Sequence, residues 1–96
     1  MVIVKKIAPD TMTFEDGERL RAAILDVLKE TSCVTVSFEG INSASSSFIN
    51  GSFVELLEFM SFEDIKRKVQ VIKTSRQIAE LIKRRLLFVA ESRVAA

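Results

Sequence analysis

Apolar residues along the chain fall into alternating blocks, some with a two-residue period and some with a helical one. "VIVKKI" (Val2 to Ile7) is β-branched and apolar, and reads as a strand closed by Pro9-Asp10. In "TMTFEDGERLRAAILDVLKE", Phe14, Leu20, Ala23, Ile24, Val27 and Leu28 recur at helical spacing. They predict an amphipathic helix of about four turns. Thr13 followed by Asp16 resembles a capping box at its start, and Gly17 weakens it slightly.

"CVTVSF" (Cys33 to Phe38) alternates and predicts a strand that Glu39-Gly40 ends, with Cys33 as a small buried hydrophobe. The loop "INSAS" follows, then "SSFINGSFVELLEFM", where Phe48, Phe53, Leu56, Leu57 and Met60 form an apolar stripe. Asn50 and Gly51 are poor helix formers, so this helix either begins late or keeps a small face for close approach. Ser61 and Asp64 open a short turn "FEDIKRK", and "KVQVIK" (Lys68 to Lys73) reads as a third strand. Ser75 caps a last helix with Ile78, Leu81, Ile82 and Val89 on one face and Leu86 beside them. Arg85 lies near that face, where its stem can cover core. The helix is expected to reach Phe88 or beyond, with Ser92 to Ala96 frayed.

The order is β-α-β-α-β-α, which implies an α/β fold with a small sheet, mostly parallel or mixed. We expect one domain over residues 1–96, with its core over about 2–90. The first strand is expected to pair at an edge, or a partner to extend the sheet.

Composition narrows the chemistry. Of 96 residues none is His, which removes the commonest general base and metal ligand, and Cys33 is the only cysteine. No metal site, cofactor or catalytic set is expected: no nucleophile, base and oxyanion donor can be brought together. The domain is therefore read as non-enzymatic. A net charge of +1 gives little attraction for nucleic acid. The basic residues Arg19, Arg21, Lys66, Arg67, Lys68, Lys83 and Arg84 read as solvated helix faces, balanced by Glu15, Glu18, Glu58, Glu63 and Glu80. No apolar run reaches the roughly 18–20 residues that span a bilayer. A cytoplasmic location is the simple reading.

The polar residues between the second strand and the second long helix are the candidate site: Asn42, Ser43, Ser45, Ser46, Ser47 and Asn50. Ser46 and Ser47 can cap the helix, and the same helix start can face an anion. Asn42 and Asn50 can contact a partner backbone or satisfy their own loop.

The stretch "VTVSFEGINSASSSFINGSFVELL", with the strand and helix after it, resembles the STAS domain of anti-sigma-factor antagonists. It is still more similar to the bacterial STAS-like domains of unknown function. The shared features are an apolar strand ending in an acidic-Gly pair, here Glu39-Gly40, and a hydroxyl-bearing turn at a helix start, here Ser45-Ser46-Ser47-Phe48. "DGERLRAAILDVLK" resembles the family's first helix, with Gly17 and Arg21 in familiar places. The resemblance implies a regulatory protein-interaction domain, with Ser47 at the position of the antagonists' phosphoacceptor. It also implies a partner such as a histidine-kinase-like ATPase or an anti-sigma serine kinase. Two positions depart from the antagonists: Ser45 stands where they carry Asp, and Phe48 where they carry Gly. The alternative is a sensing module that binds a nucleotide or small anion at Ser46 and Ser47. A homodimer is left open.

Overall fold

A computed structural model describes residues 1–95, with side chains through Ser92. Three parallel strands, β1 (Val2–Ile3), β2 (Val34–Ser37) and β3 (Val69–Ile72), form one sheet in the order β1-β2-β3. The helices are α1 (Val4–Ile7), α2 (Phe14–Leu28), α3 (Ser46–Ser52), α4 (Phe62–Lys68) and α5 (Arg76–Ala95), with a 3-10 turn at Val54–Glu58. Among the described residues, no helix is long and apolar enough to cross a membrane.

Two crossovers that step the same way along a parallel sheet, if each follows the right-handed rule, stack their helices on one face. Burial agrees. Val2, Val34, Val36 and Val69 are buried, while Thr35 is half-buried and Gln70 is exposed. Above the buried face sit Leu20 and Ile24 of α2, Phe48 and Ile49 of α3, and Ile78, Ile82 and Leu86 of α5. Phe38 and Phe53 stack at 6.2 Å between ring centroids beneath them.

The first strand is shorter than its composition predicts. Only Val2 and Ile3 pair with β2, opposite Val36 and Ser37, and Val4–Ile7 then coils into one helical turn. Its closing bond runs from the Ala8 N–H to the Val4 carbonyl at 2.8 Å. The turn buries Val4 and Ala8, one turn apart, and leaves Lys5 and Lys6 in water. An extended chain would have put Lys5 and Lys6 on opposite faces. Cys33 also departs from expectation: it is exposed. It precedes β2, and its parity matches Thr35 rather than the inward Val34 and Val36.

The stretch after Ser45 is two pieces, α3 and the 3-10 turn, and within α3 it is Gly51 that serves close approach, against Phe14 of α2. The third strand starts where α4 ends, with no loop between Lys68 and Val69. The expected frayed tail is helical through Ala95, and Ala96 lies outside the described residues.

Candidate functional site

The segments leaving the carboxyl ends of β1 and β2 meet at one end of the sheet, where open α/β sheets usually place their ligands and contacts. From β2 the chain turns at Glu39-Gly40, closed by the Ile41 N–H donating to the Phe38 carbonyl at 2.9 Å. Gly40 has φ +82°, which a side chain rarely adopts, and the Lys5 stem lies across it. Glu39 is salt-bridged to Lys73 at 3.2 Å, which ties this turn to the end of β3.

The β2–α3 loop is then stitched to the loop before α2. Ser45 donates its N–H to the Thr11 carbonyl at 3.0 Å and its hydroxyl to the Met12 carbonyl at 2.6 Å. Thr11 Oγ1 lies 2.7 Å from both the Asp10 and Ser43 carbonyls, and its single proton serves one at a time. Thr11 is buried and holds φ +50°, a strained value for a β-branched residue. Around the seam, Pro9–Met12 and Gly40–Ser43 enclose a shallow depression of about 230 Å³.

Ser45 is the cap of α3. It is extended, at φ −81° and ψ 161°, and its Oγ accepts from the Phe48 N–H at 3.0 Å. The expectation that Ser46 or Ser47 caps the helix is corrected accordingly: both lie inside the first turn, past the extended Ser45 whose side chain makes the cap bond. Both are exposed, and neither hydroxyl has a hydrogen-bond partner among the described residues. Asn42 and Ser43 are also exposed on the loop. Met12 adds an exposed apolar side chain beside them. Phe48, at the Gly position of the antagonist pattern, is fully buried and leaves the hydroxyl surface clear.

Asn50 stands apart from this group. It is half-buried, and its Oδ1 accepts from Arg85 Nε at 3.1 Å, joining α3 to α5. Arg85 also stacks on the exposed Phe88 ring, with its guanidinium carbon 5.7 Å from the centroid. Thr11 and Met12, half of the seam, carry no motif of their own in the sequence. The signal preceding them, Pro9-Asp10, marks a turn without saying what the turn meets.

No curated protein and no solved structure matches the chain. A family model described as the STAS-like domain of unknown function (DUF4325) matches residues 16–79, from the first turn of α2 into α5, and the chain belongs to that family.

Proposed function

We propose that the domain is a non-catalytic regulatory module that binds a signalling protein through Asn42–Ser47 and the first turn of α3. Asn50 lies at the far border of that surface. One observation carries the reading. Ser45 alone does the capping, so the exposed hydroxyls of Ser46 and Ser47 are not used by the fold. Two free hydroxyls in the first turn of a helix whose preceding loop is pinned by buried Thr11 form a preorganised polar surface, and Met12 gives it an apolar contact point.

The family resemblance suggests a histidine-kinase-like ATPase as the partner and Ser47 as the residue it would phosphorylate. A phosphate there would add close to two negative charges to the contact surface and so switch the interaction. In this reading the nucleotide belongs to the partner. The alternative, a nucleotide or anion held at the same helix start, has less behind it: α3 has seven residues, and Ser45 already occupies the Phe48 N–H.

Affinity capture from the source cells with wild type and Ser47→Glu tests the proposal. The expected result is an ATPase-domain protein retained by wild type and lost from the variant. Equal recovery by both, or capture without an ATPase-domain protein, overturns it.

A further inference from the structure

A second concave surface shares no residue with the Ser-rich loop. Where α4 runs straight into β3 and α5 crosses above them, a groove of about 350 Å³ remains open. Its floor is the outer edge of the core: Phe53, Ile65, Val69, Ile82 and Leu86. Ala79, a small exposed residue of α5, leaves the groove unfilled. The volume lies within the range of small-ligand pockets, which are apolar with a few placed polar groups.

The polar side chains lining it are Thr74, Lys66 and Lys83. Thr74 Oγ1 is within 3.2 Å of the Ser75 carbonyl, which leaves the two ammonium groups. Lys66 Nζ stands 5.5 Å from the centroid of the Phe62 ring, at the groove's edge. Each lysine has a glutamate one turn before it, Glu63 on α4 and Glu80 on α5, yet neither is within ion-pairing distance of any carboxylate among the described residues. Elsewhere the same i, i+3 spacing does pair, as in Lys29 with Asp26 and Arg67 with Asp64. The groove therefore joins a carbon-lined body to a rim that carries only positive charge.

We infer that this groove binds a small amphipathic anion, with its apolar body on the floor and a carboxylate or similar headgroup between Lys66 and Lys83. The volume suits a small ligand with a short apolar body. Decanoate is a suitable probe. A neutral or cationic ligand of the same length would gain the floor but not the rim.

The test titrates the full chain with decanoate and decyltrimethylammonium below their micellar concentrations, and with decanol below its solubility limit, by calorimetry and methyl NMR. The expected result is one decanoate per chain, with shifts at the methyls of Ile65, Val69, Ile82 and Leu86. An exposed ion pair supports a factor of about two to five, so two should favour decanoate over decanol by about tenfold at low salt. Lys66→Gln with Lys83→Gln should erase that preference. Ala79→Phe, at an exposed helix position, should fill the groove and abolish binding while the fold stays intact. Ser47→Glu should bind decanoate like wild type, so the result is independent of the partner proposal. Equal affinity for decanoate and decyltrimethylammonium overturns the inference. So do shifts confined to other methyls, wild-type affinity in Ala79→Phe, or no binding at millimolar probe.

Discussion

Gly17 of α2 and Gly51 of α3 pack against each other so closely that neither position has room for a methyl group. A Cβ on Gly17 would stand 2.4 Å from the Phe48 carbonyl oxygen and 3.0 Å from the Gly51 carbonyl carbon. A Cβ on Gly51 would stand 2.4 Å from the Phe14 carbonyl oxygen. All of these contacts are with backbone, which cannot swing aside as a side chain can. Arg21, one turn after Gly17, locks the crossing by donating from Nη1 to the Gly51 carbonyl at 3.1 Å. The crossing sets where α3 begins, and so where the hydroxyl turn stands.

The sign of a glycine-to-alanine change follows from this contact. In an exposed helix interior the change stabilises by about 0.5–1 kcal/mol. Here overpacking against backbone outweighs that gain. Gly17→Ala and Gly51→Ala should each lose roughly 2 kcal/mol, or about 10 °C in Tm for a domain of this size. Thermal melts followed by circular dichroism measure it, and an unchanged or raised Tm in either variant would refute the contact. Because the two sites touch, the double variant should lose less than the sum.

Capping and recognition can be separated within one turn. Ser45→Ala removes the acceptor for the Phe48 N–H and the donor to the Met12 carbonyl, so it should cost about 1–2 kcal/mol. Ser46→Ala and Ser47→Ala, which remove hydroxyls without partners among the described residues, should stay within about 0.5 kcal/mol of wild type. Urea denaturation of the three variants gives the comparison. A cost at Ser47 equal to that at Ser45 would mean that the fold uses both.

Local periodicity made the elements legible because most of them bury one face. The alternation of Val34 and Val36, the helical recurrence through Leu20 and Ile24, and the hydroxyl caps at Thr13, Ser61 and Ser75 are all realised. Val2–Ile7 misled because Val4, Ile7 and Ala8 satisfy helical spacing as well as a strand-like composition, and only the length of pairing available on β2 decides between them. At the site, a run of serines marked the place but not the division of labour. Which one caps depends on the Thr11 seam, a contact between loops 32 residues apart that no local pattern encodes. Gly51 carried the clearest tertiary signal, since a poor helix former inside an apolar stripe needs a packing reason.

Cys33 gives a simple check on the start of β2. It is exposed, with only its carbonyl engaged, by the Thr31 hydroxyl at 2.8 Å. The native protein should react with a thiol reagent to one equivalent, at close to the rate of the urea-unfolded chain. A strongly protected thiol would show that the chain before Val34 leaves the alternation of β2 and turns Cys33 inward.

Thr11 tests whether the two loops act as one unit. Its φ of +50° costs on the order of 1–3 kcal/mol, which the surrounding contacts must offset. Those contacts are its burial, its hydroxyl against the Ser43 carbonyl, and its own carbonyl accepting from Ser45. Thr11→Val keeps the shape and removes the hydroxyl, leaving the strain in place. It should lose about 1–2 kcal/mol globally. It should also speed amide exchange at Ser45 and Phe48, because the seam opens before the core does. Thr11→Gly removes the hydroxyl but also relieves the strain, so in spite of its larger cavity its loop should exchange no faster than that of Thr11→Val. If Thr11→Val leaves exchange at Ser45 and Phe48 as in wild type, the loop is held by its own turn rather than by Thr11, and the preorganisation argued for the hydroxyl surface falls with it.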